Sequence, residues 1–433
     1  DVRMTTTPDC KPCAEGARFL TMSRRGFFTL AGAAGIVMGT TVGGARVGLL
    51  DGLTPSAGAA TATDTDCLVV LSLRGGYDGL SCIVPASSPE YYDLRPNINI
   101  PQGVLKQAND GFGLAPALEP LFPLWDAGQF GAVHAVGMER PNYSHFEAMD
   151  EMERASTGSA LYTGWIDRCV GALGGSDSPF LATAMGTDTL PTSLSGPNPE
   201  FAMRNINGVT LAIGDNEGAF SAVQEAMAQL HEGSEPLVSD PLLRGIGAVA
   251  TAQALPEGGD GYPDGGLSNA LRDIARLIKE PTSGIRFATV DYGGWDTHEG
   301  QGGPTEGNYF GKMRELAEGL AAFAADLGPA LDRTTLITLT EFGRPLRQNG
   351  SGGTDHGYGF PVLMLGGGVN GGQVYGTWPG LAEDALVDGN LAATTDYRAL
   401  VAEILAARCG VSDAAAVFPG LSMPQSLGVV RSR

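Results

Sequence analysis

Basic side chains are scarce in this sequence of 433 residues. It carries 27 Lys and Arg against 48 Asp and Glu, with a net charge of −21 at pH 7. Six of the basic and four of the acidic side chains fall within residues 1–62, so the remainder has a net charge of −23. A surface of this sign repels nucleic acid and anionic membranes, which excludes a nucleic-acid-binding protein. It also favours a bound divalent cation if the protein handles an anion.

Long uninterrupted apolar runs are absent as well. The stretch over about residues 27–50 is only weakly apolar, is rich in Gly and Ala, and is interrupted by Arg46. It follows the adjacent Arg24 and Arg25, a combination typical of a twin-arginine export signal. We therefore predict a signal region over residues 1–62, recognised by the twin-arginine export machinery, and a periplasmic, envelope or extracellular location. A permanent transmembrane anchor is the alternative.

Cysteine is rare, with six residues in the whole chain. Two of them, at positions 10 and 13, precede the twin arginines and would be removed with the signal. Cys67, Cys82, Cys169 and Cys409 remain. In an oxidising compartment they could form up to two disulfides, and the sequence does not choose among the possible pairings.

Internal repeats are also lacking, and the apolar residues that are present predict an α/β fold. Continuous apolar runs indicate strands covered on both faces, and positions repeating every three or four residues indicate amphipathic helices. The predicted strands are 67–73, 130–137, a run that begins near 286, 334–340 and 361–365, and the predicted helices are 117–127, 219–230, 266–279, 313–327 and 397–408.

The regular alternation fades between about residues 186 and 283, where Gly and Pro clusters indicate loops. We interpret this segment as an insertion or lid over a site, which would control the choice of substrate. His231 lies within it and is expected to be solvated.

The run that begins at Arg286 ends in Gly293-Gly294, and Asp296 and His298 follow at once. Polar groups at the carboxyl end of a buried strand lie where open α/β sheets bind ligands. A carboxylate and an imidazole separated by one residue can face one point and suit a divalent metal such as zinc. The alternative is that Asp296 caps a turn and His298 lies on the surface.

Other polar side chains also follow predicted strands. Asp78 comes after the first strand, Glu341 after the strand 334–340, and His356 lies in the glycine-rich loop that follows. Asp78 could equally be a turn residue before Gly79. His134 lies inside an apolar run and is interpreted as a hydrogen-bonded core histidine.

Ser144 stands at a predicted helix start after the strand 130–137. Its spacing from Glu147 is that of a capping box. The same position suits a nucleophile, because the amides and the positive end of a helix stabilise a transferred anion.

Five motifs in this order resemble the exported DUF1501 family, which is similar to a branch of the alkaline phosphatase and sulfatase superfamily. They are Leu73-Arg74-Gly75-Gly76-Tyr77-Asp78-Gly79, Tyr143-Ser144-His145-Phe146, Gly294-Trp295-Asp296-Thr297-His298, Thr340-Glu341-Phe342-Gly343-Arg344 and Thr354-Asp355-His356-Gly357. The resemblance implies a three-layer α/β/α sandwich with a mostly parallel central sheet.

The resemblance also implies roles for single residues. Ser144 would be the nucleophile, Asp78 would bind the cation nearest to it, and Asp296, His298 and His356 would hold another cation. Glu341 stands where the superfamily has Asp followed by His, and Phe342 replaces that His. A second cation site would therefore be rich in oxygen and favour magnesium or calcium, or be empty. Arg344 would act in catalysis by clamping substrate oxygens.

Two further residues are predicted to bind a small anionic ester substrate, Arg74 and His145. For both Arg74 and Arg344, ordinary ion pairing is the alternative.

The sequence thus predicts an exported hydrolase of phosphate or sulfate esters that uses one or two divalent cations. A non-catalytic envelope or binding protein with a degenerate site is the alternative, and a phosphomutase-like transferase is a third possibility.

Overall fold

The computed structural model describes residues 66–140, 142–156, 161–174, 178–198, 200–210, 236–421 and 426–433. The predicted signal region, the cysteines at positions 10 and 13, the predicted helix 219–230 and the histidine at position 231 lie outside these residues. Across the described ranges, no helix has both the length and the apolar character needed to cross a membrane.

The described strands are β1 (Cys67–Ser72), β2 (Ile83–Val84), β3 (Lys106–Gln107), β4 (Gly113–Leu114), β5 (Phe130–Gly137), β6 (Ala182–Met185), β7 (Phe201–Met203), β8 (Phe287–Asp291), β9 (Thr334–Leu339), β10 (Phe360–Leu365), β11 (Val374–Tyr375), β12 (Leu386–Val387), β13 (Asn390–Leu391) and β14 (Thr395–Asp396). Nine of them form a sheet at the centre of the described part of the chain, in the order β11-β5-β10-β9-β1-β8-β6-β7 with β14 also paired to β5. Neighbouring strands of the large sheet are parallel, except that β10 is antiparallel to β5 and β9. The prediction of an α/β fold with a mostly parallel central sheet is confirmed.

Both faces of the sheet are covered. Every residue of β1, β5, β9 and β10 is buried, and successive side chains of a strand point to opposite faces. The described helices are α1 (Pro89–Leu94), α2 (Phe122–Asp126), α3 (His145–Arg154), α4 (Trp165–Ala172), α5 (Pro236–Ala254), α6 (Gly266–Lys279), α7 (Asn308–Leu327), α8 (Tyr397–Arg408) and α9 (Ala414–Val417). The apolar positions that predicted α7 are buried, because they form one stripe of its surface.

The segment 186–283 contributes to this core. β7 extends the edge of the sheet by pairing with β6. Helix α6 packs against α7, and its Leu271, Ile274 and Leu277 are fully buried. These parts of the segment therefore pack into the common core. That the segment forms an insertion or lid over a site stays a prediction. Residues 211–235 of the segment lie outside the described part.

The four cysteines of the described residues are buried free thiols, so no disulfide links them. Burial raises the pKa of Cys67, Cys82, Cys169 and Cys409. The reactive thiolate form is therefore disfavoured at each position.

His134 of β5 is a buried histidine with both ring nitrogens satisfied. Its Nε2 donates to the carbonyl of Ile83 at 3.1 Å, and its Nδ1 accepts from the amide of Ala135 at 2.8 Å. Burial lowers the pKa of His134 to about 4. The interpretation of this residue as a hydrogen-bonded core histidine is confirmed.

One edge of the sheet gathers several chain segments. The carboxyl ends of β1, β5, β8 and β9 meet there because these strands are parallel. Because β10 runs the other way, the loop that enters it reaches the same edge. Helix α3 follows β5 and begins at this edge as well. The fold therefore brings segments from distant parts of the sequence to one rim.

Candidate metal centre

Three histidines and one aspartate converge at this rim. His145 is the first residue of α3, Asp296 and His298 lie in the loop after β8, and His356 lies in the loop before β10. His145, Asp296 and His356 each offer one atom that can ligate a metal, and these three atoms all lie within 4.8 Å of one another. His298 joins them, because its Nε2 is 2.9 Å from Asp296 Oδ1 and 3.1 Å from His356 Nε2. The structure thus brings together four residues from three of the predicted motifs.

Each of the three imidazoles has an oxygen acceptor on Nδ1. His145 Nδ1 lies 2.7 Å from Glu341 Oε1, and His356 Nδ1 lies 2.7 Å from the carbonyl oxygen of Tyr143. His298 Nδ1 lies 3.4 Å from Asp355 Oδ1. A carbonyl or a carboxylate only accepts, so these contacts place the ring proton on Nδ1 and leave the lone pair on Nε2. Partners of this kind orient metal-binding histidines.

The Nε2 atoms of His145, His298 and His356 are arranged so that a positive group between them would be stabilising. His145 Nε2 is buried without a hydrogen-bond partner in the described part of the chain, and it lies 3.4 Å from Asp296 Oδ1. His298 Nε2 and His356 Nε2 face each other at 3.1 Å, a repulsive contact if both carry lone pairs. A shared proton or a cation would remove this repulsion.

The spacing of the ligand atoms suits a cation. Metal–ligand bonds of about 2.0–2.1 Å in tetrahedral geometry separate the ligand atoms by roughly 3.3 Å. Asp296 Oδ1 lies 2.9 Å from His298 Nε2, 3.4 Å from His145 Nε2 and 3.6 Å from His356 Nε2. Imidazole nitrogens with one carboxylate are ligands that zinc accepts. The residues present therefore fit a divalent metal of this kind.

The protonation states also suit metal binding. Burial raises the pKa of the Asp296 carboxyl, but the hydrogen bond and charge of Arg344 outweigh it and hold this pKa below its ordinary value. For His356, burial lowers the pKa more than the Tyr143 carbonyl raises it. An ionised carboxylate and a neutral imidazole are the forms that ligate a metal.

Glu341 lies behind His145 and contacts its Nδ1, not the shared point that the ligand atoms face. Besides His145 Nδ1, its carboxylate accepts from the amide of Gly75 at 2.8 Å and from the Thr340 hydroxyl at 3.1 Å. Its side chain is almost completely buried, with 2% exposed. The structure therefore makes Glu341 the acceptor that orients His145, instead of the direct ligand that the sequence predicted.

Asp78 is engaged in a buried ion pair. Its Oδ2 lies 2.6 Å from Arg95 Nη1 and also accepts from Ser81 Oγ and Gln301 Nε2, each at 2.6 Å. Burial raises the pKa of Asp78, but Arg95 and these donors hold it below its ordinary value. A buried carboxylate requires such a countercharge. Asp78 does not belong to the group that could hold a metal ion. Where the sequence predicted a cation beside Asp78, the structure has the guanidinium of Arg95.

Arg344 is fully buried and all its donors are engaged inside the protein. It donates to Asp296 Oδ1 at 2.6 Å and to backbone carbonyls; these belong to Gly75, Gly76, Trp295, Thr354 and Asp355. No N–H group is left for a substrate, so Arg344 fixes the loops around Asp296 instead of clamping an ester.

Arg74 forms ion pairs with Glu153 at 2.6 Å and with Asp291 at 2.7 Å. The alternative given for this arginine, ordinary pairing, is what the structure has. His145, predicted to contact substrate, lies in the group of side chains that could hold a metal ion.

Ser144 immediately precedes this group. It occupies the N-cap position of α3, but its side chain makes no capping hydrogen bond. The interpretation of Ser144 as half of a capping box is therefore wrong, and its hydroxyl is not committed to the helix. Its backbone amide donates to Asn142 Oδ1 at 3.0 Å, which fixes the turn into α3.

Phe342 fills the space beside two of the histidines. Its ring centroid lies 4.7 Å from that of His145 and 4.8 Å from that of His356. An apolar ring at this place restricts the orientations of both imidazoles and supplies no ligand.

The sequence did not identify several residues that shape this site. Arg95 and Gln301 surround Asp78 but belong to no motif, and the contribution of Tyr143 is its carbonyl, which every residue has. His145 could be found from the sequence, since it adjoins Ser144 in a motif, but the motif indicated substrate binding and not metal binding.

Comparison with known proteins gives a partial match. No curated protein matches this chain. Among solved structures it is similar to the C-terminal periplasmic domain of EptC from Escherichia coli, a complex with zinc, with 8% identity, a TM-score of 0.33, and coverage of 70% of this chain and 74% of that chain. It is also similar to the lipoteichoic acid synthase LtaP from Listeria monocytogenes, with 10% identity, a TM-score of 0.30, and coverage of 85% and 80%. The fold is assigned from the strand order and strand directions of this chain, and not from these similarities.

One family model matches the C-terminal part of the chain. Residues 274–427 include Asp296, His298, Glu341 and His356, whereas Ser144 and His145 precede them. A model of the family described as "Protein of unknown function (DUF1501)" matches residues 274–427.

Proposed function

We propose that this protein is an exported, metal-dependent hydrolase of phosphate or sulfate esters with Ser144 as its nucleophile. The observation that carries the proposal is the convergence of His145, His298 and His356 on Asp296 with each Nδ1 facing an oxygen acceptor. Zinc is the metal that this ligand set favours among zinc, magnesium and calcium, because imidazole nitrogens dominate it.

The metal would be held by His145, Asp296 and His356, with His298 as a further ligand. When bound, a divalent cation supplies positive charge that stabilises the oxygens of a phosphate or sulfate group. Glu341 orients His145, and Arg344 holds Asp296 in place. These two residues are positioning residues, since they act through the ligands.

Ser144 suits the role of nucleophile because its hydroxyl makes no capping hydrogen bond with α3 and the residue directly precedes His145. Its Oγ would attack the phosphorus or sulfur atom, and the ester oxygen would leave as an alcohol after taking up a proton. Water would then cleave the bond to Ser144, release phosphate or sulfate, and restore the hydroxyl. The first amides of α3 would stabilise the transferred anion.

The test is turnover by the purified protein of p-nitrophenyl phosphate and p-nitrophenyl sulfate. We expect hydrolysis of at least one ester, its loss on chelation, and its return when zinc is added. Ser144→Ala should reduce the rate by about a hundredfold or more, whereas Ser87→Ala, on an exposed serine outside the site, should not. Zinc-loaded protein that hydrolyses neither ester would contradict the proposal.

A non-catalytic envelope or binding protein remains the second candidate. It is favoured by the engagement of Arg74 and Arg344, the two cations predicted to clamp substrate oxygens, with acceptors of the protein itself. A folded Ser144→Ala variant that fully replaces the wild-type protein in cells would favour this candidate over the hydrolase.

A further inference from the structure

Two exposed aromatic residues adjoin Ser144 and His145 in the sequence. The large hydrophobic side chains exposed among the described residues are Val104, Tyr143, Phe146 and Tyr162. Tyr143 and Phe146 lie on either side of Ser144 and His145, with 39% and 91% of their surfaces exposed. Burying such a ring against an apolar partner is favourable, so exposed rings beside a functional site indicate a binding surface.

Tyr143 is held at both ends, through its backbone to the candidate metal centre and through its hydroxyl to Asn390. Its carbonyl accepts from His356 Nδ1 at 2.7 Å, and its hydroxyl accepts from Asn390 Nδ2 at 3.2 Å. Asn390 is itself buried, with 4% exposed. The Tyr143 ring is therefore held in place before any ligand arrives, which reduces the entropy lost on binding.

Phe146 is the second residue of α3 and directly follows His145. Its side chain is the most exposed of the large hydrophobics in the described part of the chain. The helix fixes the backbone of Phe146 next to His145. Because 91% of its surface is exposed, the ring is free to contact a ligand.

We propose that Tyr143 and Phe146 bind an aromatic ring on the alcohol side of the substrate, so the substrate class is aryl esters. This inference rests on the proposed function. An ester whose anionic group lies at Ser144 extends its other substituent toward the neighbouring residues, and these present rings. Arg74 and Arg344 are engaged with the protein, and the net charge of the chain is −21. A second anionic group on the substrate would therefore be disfavoured.

The test compares two phosphonates that differ in one group. Phenylphosphonate and methylphosphonate both carry the anionic end, and neither is hydrolysed, so binding is measured without turnover. Calorimetry with the purified, zinc-loaded protein gives the Kd of each. We expect the wild type to bind phenylphosphonate about tenfold more tightly than methylphosphonate, which is the difference in affinity that one aromatic contact contributes. Phe146→Ser should abolish this preference and leave the Kd of methylphosphonate unchanged.

Tyr162→Ser is the matched control. Tyr162 is also exposed, and its neighbour Leu161 contacts Arg154, the last residue of α3, so this ring lies near the opposite end of the helix. The control should keep the tenfold preference. Equal binding of both phosphonates by the wild type, or an undiminished preference in Phe146→Ser, would overturn the inference while leaving the proposed function in place. If neither phosphonate binds, the inference fails. If neither p-nitrophenyl ester is hydrolysed either, the proposed function fails with it.

Discussion

At the scale of single residues, the acceptors on Nδ1 determine what the histidines can do. Glu341 is buried, ionisable and hydrogen-bonded to His145. Removing the charge of such an acceptor lowers the basicity of the ligand and reduces its affinity for metal.

We therefore expect Glu341→Gln to weaken zinc binding by about tenfold to a hundredfold, as measured by titration against a competing chelator. Glu153→Gln is the control, because Glu153 is also buried but pairs with Arg74 instead of a histidine. An unchanged zinc affinity in Glu341→Gln would show that Glu341 does not act through His145.

His298 differs from the other two histidines. Its side chain is 41% exposed, against 24% for His145 and 25% for His356, and its Nδ1 contact is the longest of the three. We expect His298→Ala to retain zinc with reduced affinity, because His298 is the most exposed and most loosely oriented of the three imidazoles. His356→Ala should lose most zinc binding, because it removes an imidazole that is better buried and held at 2.7 Å by the Tyr143 carbonyl. Metal content after dialysis measures both. Equal loss in the two variants would contradict the ranking of these ligands.

His134 makes the free energy of unfolding depend on pH. Its pKa is about 4 in the fold, below the ordinary value of roughly 6.5 in the unfolded chain. The unfolded state therefore binds the proton first, and the contribution of His134 to stability is lost as the pH falls from about 6.5 to about 4. This loss amounts to about 3 kcal/mol. Denaturant unfolding at several pH values should show a shallower decline for His134→Gln than for the wild type, and parallel curves would contradict the prediction.

At the scale of elements, the loop after β1 joins the other loops of the rim. Gly75 has a φ of 117°, and a Cβ at this position would lie 2.7 Å from the amide nitrogen of Asp296. The amide of Gly75 donates to Glu341, and its carbonyl accepts from Arg344. A single glycine thus lets three loops approach one another.

Gly75→Ala should consequently destabilise the protein by about 2 kcal/mol or more and weaken zinc binding, because both the backbone conformation and the contact oppose a side chain. Gly303→Ala is the control, since a Cβ there meets no atom within 4 Å. Denaturant unfolding with and without zinc measures both effects. If Gly75→Ala were as stable as Gly303→Ala, the close approach of the loops would be contradicted.

The elements were largely predictable from the sequence, and the pairing of side chains was not. Predicted strand 130–137 and predicted helices 266–279 and 397–408 match the observed elements, because apolar periodicity reports burial. The rim location of Asp296 and His356 followed from strand direction. The pairing of Asp78 with Arg95 could not be predicted, because a buried carboxylate attracts an arginine as readily as a metal, and periodicity does not specify which one is adjacent.

At the scale of the whole molecule, the engagement of Asp78 limits the number of cations. The sequence allowed one or two, with Asp78 in one of the sites. In the structure the guanidinium of Arg95 is the positive partner of Asp78, and Phe342, which lies beside His145 and His356, supplies no ligand. The described residues thus offer one group of imidazole and carboxylate ligands, at His145, Asp296 and His356.

The most direct test of this account is the metal content of the purified protein after loading with zinc and removal of excess, measured by elemental analysis against protein concentration. The account predicts one zinc per chain in the wild type and almost none in a His145→Ala, His356→Ala double variant that remains folded. A wild-type protein that retains no metal, or a double variant that retains as much as the wild type, would contradict it.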